Sequence, residues 1–189
     1  MNDAGRGQYA SFDSKGSDRE MAKILLVDDD RNSLSSMRRV LMTSTEGHKV
    51  EEFTSPREAL ERARAHGFDV VISDYRMPEM NGAVFLEQFR EIQPNCYRVV
   101  LTAFSDAVVL RNLIDKAQVH RFLEKPVDGH VLEAAVCEGA NYMAMQRERD
   151  QLQAQVRTLE SRVTRQQALL ERVAQDAPGL LPEDWRNGA

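Results

Sequence analysis

"DVVISDYRMPEMNG" (residues 69–82) joins a near-continuous apolar run to one carboxylate, Asp74, and then to a polar, proline-containing turn. A run apolar on both faces suits a central strand of a parallel sheet that helices cover on both sides. Such a strand ends more easily in a neutral residue, so the carboxylate at its end needs a chemical reason.

Four comparable runs lie outward from it: "KILLVDDD" (23–30), "KVEEF" (49–53), "YRVVLT" (97–102) and "RFLEK" (121–125). Segments of helical period separate them. Leu34, Met37 and Leu41 mark the first. The second opens on Ser55-Pro56-Arg57-Glu58, a capping box with proline at the first helical position, and continues through Ala59, Leu60 and Ala63. Phe85, Phe89 and Ile92 line a third, and Leu110, Leu113, Ile114 and Ala117 a fourth. Alternation of strand and helix predicts an α/β fold, a doubly wound five-stranded parallel sheet with right-handed crossovers. The first, third and fourth runs read as central strands; the more polar "KVEEF" suits an edge.

With 189 residues the chain accommodates one domain and an appendage, or two small domains. An apolar fraction of 42% and a charged fraction of 29% are those of a globular protein. A net charge of -5 gives no reason to expect non-specific binding to nucleic acid. Cys96 and Cys137 lack metal-ligand or C-x-x-C spacing and read as free thiols in a reducing compartment. The first twenty residues have no apolar core of a secretory signal, and no stretch approaches the ~18–20 apolar residues of a membrane span. These absences predict a cytoplasmic protein with no membrane contact.

Beyond "KPVDGH" (125–130), residues 131–175 contain no proline and only Gly139, which predicts one long helix. A heptad runs through it, with Val156, Val163 and Leu170 at a and Leu152, Leu159, Gln166 and Val173 at d. Met145 extends the d row backwards, and Arg149 interrupts the a row. β-branched residues at a with Leu at d favour a parallel two-stranded coiled coil. The competing arrangement, a helix packed back on its own domain, would need more apolar residues beside the stripe. The expected organisation is therefore a flexible segment (1–21), an α/β domain (22–130), a helix and coil (131–175) and a flexible tail (176–189).

Ligands of doubly wound sheets bind beyond the carboxyl ends of the strands. Those ends carry Asp28, Asp29 and Asp30 on the first strand, Asp74 on the third, Thr102 on the fourth and Lys125-Pro126 on the fifth. A nucleotide site would place glycines after the first strand to cradle phosphate. Carboxylates there repel phosphate unless a hard cation intervenes, and Mg²⁺ fits that role. Three aspartates (Asp28, Asp29, Asp74) against one Mg²⁺ and one lysine sum to zero charge. A carboxylate can itself attack phosphorus to give an aspartyl phosphate. Asp74 stands alone at the centre of the edge and is the expected nucleophile. Asp28 and Asp29 read as metal holders, with Lys125 and Thr102 near the transferred oxygens.

The stretches "ILLVDDD", "DVVISDYRMPEMNG", "VVLTAF" and "RFLEKP", in this order and spacing, resemble the receiver domain of two-component response regulators over about residues 22–143. The resemblance implies a flavodoxin-like sheet of order 2-1-3-4-5. It implies Asp74 as phosphoacceptor, Asp29 as direct Mg²⁺ ligand with Asp28 in support, and the backbone carbonyl of Arg76 as a further ligand. Thr102 and Lys125 are implied as phosphoryl sensors, Phe122 as the switch aromatic, and Lys125-Pro126 as a cis peptide. Asp30 receives no role beyond the start of a helix. A sensor histidine kinase or phosphotransfer protein is the implied donor. Arg76 and Phe104 differ from the residues commonest at their positions, which border the path of hydrolytic water. Phe104 is expected to lengthen the life of the phosphorylated state, and a Phe104→Ala variant with an equal lifetime would contradict that.

Phosphorylation is expected to draw Thr102 inward, rotate Phe122 and change the face of the fourth helix, fifth strand and C-terminal helix. Between Glu138 and Gln175 six arginines face five acids with no basic cluster, so the expected output is contact with a protein target and homodimerisation, not direct nucleic-acid binding. The chain is not expected to be a stand-alone enzyme. An enzymatic output domain would have to lie beyond Ala189, and a receiver-fold scaffold without phosphorylation is the third reading. Trp185 reads as part of a loose tail. His48, His66, His120 and His130 are scattered and read as surface or structural residues.

Overall fold

The computed structural model describes residues 21–43, 47–103 and 117–176. Five strands, β1 (Lys23–Val27), β2 (Lys49–Phe53), β3 (Val70–Asp74), β4 (Tyr97–Thr102) and β5 (Arg121–Glu124), form one sheet of order β2-β1-β3-β4-β5. Every neighbouring pair is parallel. This is the flavodoxin-like order that the family resemblance implied, and "KVEEF" is an edge strand. Among the described residues, helices α1 (Arg31–Thr43), α2 (Pro56–Ala65) and α3 (Gly82–Ile92) follow the first three strands, and a C-terminal helix runs from Gly129 to Asp176. The expected helix through Leu110, Leu113 and Ile114, together with Phe104, the first twenty residues and Trp185, lies outside the described residues.

The two-residue period of strands divides the core. Leu25, Val27, Val71 and Val100 face one side, where they pack with Leu60, Phe85, Leu86 and Phe89 of α2 and α3. Ile24, Leu26, Val70 and Ile72 alternate with them and are likewise fully buried. At about 25 cal/mol per Å² of apolar surface removed from water, these interleaved side chains supply most of the fold's stability. Helix starts follow their caps. The Ser55 hydroxyl accepts the Glu58 N–H at 3.5 Å with Pro56 at the first helical position, and the Asn81 side chain accepts the Val84 N–H at 3.0 Å.

One residue within the apolar run of β4 is charged and buried. Arg98 is 2% exposed, and its guanidinium donates to the carbonyls of Pro94, Cys96, Ala117 and Gln118. Four carbonyl dipoles meet its charge, so burial leaves no donor stranded. The four histidines are likewise structural or on the surface: His48 accepts the Ala22 N–H, His120 accepts the Arg98 N–H, His66 meets Arg62, and His130 is exposed. Neither Cys96, which is buried, nor Cys137, which is half-buried, forms a disulfide.

The chain divides into two compact units, Met1–Ala140 and Asn141–Ala189. The first turns of the C-terminal helix, expected from sequence to start an extension at residue 131, belong to the first unit. Leu132, Ala135, Val136 and Gly139 are buried there. Gly139 is required by a close approach: a Cβ at that position would lie 2.7 Å from Val70 Cγ2 and 2.9 Å from Tyr97 Cδ1. From Met145 onward the heptad side chains Leu152, Val156, Leu159, Val163, Leu170 and Val173 are all exposed. Among the described residues no helix is long and apolar enough to cross a membrane.

Candidate functional site

The carboxyl ends of β1, β3 and β5 bring Asp28, Asp74 and Lys125 into contact. Lys125 Nζ lies 2.8 Å from Asp28 Oδ2 and 3.0 Å from Asp74 Oδ1. Asp28 and Asp74 are buried at 1% and 6% exposure, and Asp29 beside them is exposed. One carboxylate oxygen from each of Asp28, Asp29 and Asp74 lies within 4.8 Å of the others. Three carboxylates against one ammonium leave two negative charges in a largely buried cleft. That imbalance, an all-oxygen donor set and one solvent-facing member fit a hard divalent cation that keeps part of its water.

Burial pushes the Asp74 carboxyl above the usual carboxylate range, and the Lys125 ammonium reverses this only in part. The backbone of Arg76 beside it favours the charged form to a smaller extent. Burial by itself would pull Lys125 down, yet its bonds to Asp28 and Asp74 leave it raised and charged. A carboxylate disfavoured by desolvation beside a charged ammonium has the chemistry of a candidate nucleophile.

The turn after β3 is built around Gly82. Its N–H donates to the Tyr75 carbonyl at 2.8 Å, and a Cβ would collide with the Asp74 carbonyl and lie 2.9 Å from Tyr75 Cα. Only glycine lets α3 begin against the strand end that carries Asp74. Arg76 is exposed within this turn. Asp30 is exposed as well and caps α1, accepting the Asn32 N–H at 2.9 Å.

Thr102 ends β4 as a half-buried residue, with its hydroxyl directed to the Ala103 carbonyl at 3.3 Å and not to Asp74. Phe122 of β5 is half-buried against the α2–α3 side of the core. The Lys125-Pro126 peptide is cis.

One member of the site escaped the sequence reading. Ser33, in the first turn of α1, donates its hydroxyl to Asp28 Oδ2 at 2.7 Å, and the Asp30 N–H donates to Asp28 Oδ1 at 2.9 Å. With Lys125, these donors fix both oxygens of Asp28. The available signal was a hydroxyl five residues past Asp28, where the helix returns over the strand end.

A family model described as "Response regulator receiver domain" matches residues 24–137. The chain belongs to the response-regulator receiver family. The receiver is 36% identical over 118 residues to the transcriptional regulatory protein GlrR of Escherichia coli K12, covering 61% of this chain and 25% of that protein. It is 29% identical over 125 residues to the hydrogenase transcriptional regulatory protein HoxA of Bradyrhizobium diazoefficiens, covering 66% and 25%. The match therefore spans about a quarter of these relatives' length. Among solved structures, one described as adenylate cyclase from Rhodopirellula baltica aligns at 30% identity and TM-score 0.66, covering 71% of this chain and 98% of that one.

Proposed function

We propose that this receiver is a phosphorylation-driven switch. It takes a phosphoryl group from a sensor histidine kinase or phosphotransfer protein onto Asp74 and passes the change to a protein partner. The observation that supports this most directly is the bridging of two buried carboxylates, Asp28 and Asp74, by Lys125 beside the exposed Asp29. Asp28, Asp29, Asp74 and the Arg76 carbonyl would hold Mg²⁺, which when bound would supply two positive charges against the negative charge of the phosphoryl oxygens. One Asp74 oxygen forms the new P–O bond as the donor's P–N bond breaks, and the electron pair stays on the imidazole. Lys125 holds an ammonium where the transferred oxygens arrive, and Thr102 offers its hydroxyl from the neighbouring strand end. Rotation of Phe122 would carry the change to β5 and the C-terminal helix.

In this reading the protein is a cytoplasmic regulator, not a stand-alone enzyme. It homodimerises through the exposed stripe that includes Leu152, Val156, Leu159, Val163, Leu170 and Val173 and makes no direct contact with nucleic acid. The quarter-length match to transcription regulators favours a second reading, in which the same switch drives an output domain. Incubation with Mg²⁺ and a small phosphodonor, followed by intact mass, tests the common core of both. One added phosphoryl group is expected, lost in Asp74→Asn. An unchanged mass would return the chain to a phosphorylation-independent scaffold.

A further inference from the structure

Between Leu152 and Val173 the exposed heptad stripe of the C-terminal helix contains one polar residue at a core position, Gln166 at d. Its apolar neighbours Leu152, Val156, Leu159, Val163, Leu170 and Val173 are each between 37% and 57% exposed, which is high for aliphatic side chains at core spacing. We infer that this stripe is covered by a second copy of the chain in a parallel, in-register coil, with Gln166 facing Gln166 of that copy and setting the register. The inference rests on the proposed homodimer and adds to it a geometry and a residue.

A parallel in-register coil stacks each core position on its own counterpart, a on a and d on d. Gln166 is then the one core amide of the Leu152–Val173 stretch, and a primary amide carries both donors and acceptor. Two such amides face to face satisfy each other, whereas a shift by one heptad sets Gln166 against Leu159 or Val173 and leaves a polar group against hydrocarbon. A single buried polar pair of this kind specifies register at some cost in affinity.

The flanks agree with the same pairing. Across the parallel interface the g-to-e contacts are Glu148 with Gln153, Gln155 with Glu160, and Arg162 with Gln167, so no like charges meet at these flanking positions. The one like-charge contact is Arg149 with its own counterpart, in the a layer before Leu152. Val156 and Val163 at a with Leu152 and Leu159 at d are the side-chain choice that favours two parallel strands. The strongest competitor is an antiparallel coil that sets Gln166 against Arg149 of the other copy, with Leu152 against Val163 and Val156 against Leu159. Its layers are also well filled. The two arrangements differ in what position 166 faces, itself or a guanidinium.

Charge at position 166 separates them. With the full-length chain in sedimentation velocity, Gln166→Glu should weaken dimerisation by about tenfold or more, because two carboxylates then face each other. Gln166→Lys should do the same, and a 1:1 mixture of the two variants should restore dimer to at least the wild-type level. A Gln166→Glu chain that dimerises more tightly than wild type overturns the inference in favour of the Arg149 pairing. Oxidation of Leu170→Cys provides a second readout: a disulfide-linked dimer absent from wild type is expected, since position 170 meets itself only in the parallel arrangement. A wild-type chain that stays monomeric at every concentration overturns the dimer reading itself. A dimer that tolerates Gln166→Glu unchanged overturns only the register.

Discussion

Replacing Lys125 by methionine isolates the electrostatics of the site, because methionine keeps the unbranched stem, one atom shorter, and removes the charge. In the metal-free protein the substitution leaves Asp28 and Asp74, with side chains 1% and 8% exposed, facing each other without a counter-charge. Removing one partner of a fully buried ion pair costs about 3–5 kcal/mol. Lys125 is 30% exposed and Asp29 opens the cleft to solvent, so the expected loss is about 2–3 kcal/mol.

Mg²⁺ should reverse most of it. A cation that binds only the native state adds about 2.7 kcal/mol at a hundred times its Kd, and each tenfold gain in affinity adds about 1.4 kcal/mol more at fixed concentration. Losing Lys125 removes a competing positive charge and one of the two donors on Asp28 Oδ2, so the variant should bind Mg²⁺ more tightly than wild type. Urea unfolding at one protein concentration, in EDTA and in saturating MgCl₂, is the assay, with NaCl of equal ionic strength as control. The gap between wild type and Lys125→Met should shrink to about 1 kcal/mol with Mg²⁺. A gap that is absent in EDTA, or unchanged by Mg²⁺, would refute the account of two buried carboxylates held by one ammonium.

Ser33→Ala removes a donor to Asp28 and should lower Mg²⁺ affinity roughly tenfold by calorimetry, with Ser33→Thr retaining it; equal affinities would leave Ser33 no positioning role. Gly139→Ala should gain about 1 kcal/mol from helix propensity yet lose about 1–3 kcal/mol to the collision with Val70 and Tyr97. Because Val70 is fully buried and stiff at χ1, a net loss in urea unfolding is expected, and a net gain would contradict the close approach. Burial chiefly, with the Arg98 guanidinium, holds His120 down at about 4. The unfolded chain therefore binds the extra proton first, and stability should fall as pH drops from about 6.5 to 4, by about 2 kcal/mol for a half-buried ring. His120→Gln should flatten that window in pH-dependent unfolding, and an unchanged slope would assign it to other groups.

The sheet was legible because central parallel strands are apolar on both faces, so "ILLV" and "VVIS" declare themselves without knowledge of their neighbours. The edge position of "KVEEF" followed from the same physics, since an edge strand has fewer groups to bury. The convergence of Asp28, Asp29, Asp74 and Lys125 was legible because parallel strands all point their carboxyl ends one way. What escaped were residues whose partners are backbone or close neighbours in space. Arg98 sits in an apolar run, and nothing in the run announces that four carbonyls will meet its charge. Gly139 looked like a blemish in a long helix, when its missing Cβ is what seats that helix against Val70 and Tyr97. The Thr102 hydroxyl illustrates a further limit: the strand end was placed correctly by pattern, but the direction of the hydroxyl depends on local hydrogen bonding.

β5 is short enough to join the two ends of the proposed switch directly. The strand period puts Arg121, Leu123 and Lys125 on one face, and four residues at about 3.3 Å each separate the first from the last. Lys125 touches Asp74, while Arg121 pairs with Glu138 on the C-terminal helix. Leu123 between them is 3% exposed and anchors the strand in the core. The Arg121–Glu138 pair is partly exposed and contributes only about 0.2–1 kcal/mol to stability. In the proposed switch its value is as a link: a displacement of Lys125 by an arriving phosphoryl group would reach the helix through this contact. Glu138→Gln should therefore leave phosphorylation of Asp74 unchanged by intact mass. It should also shrink the change in dimer affinity that a beryllofluoride phosphoryl mimic produces in wild type. A Glu138→Gln chain whose dimerisation responds to the mimic as fully as wild type does would show that the signal leaves the site by another element.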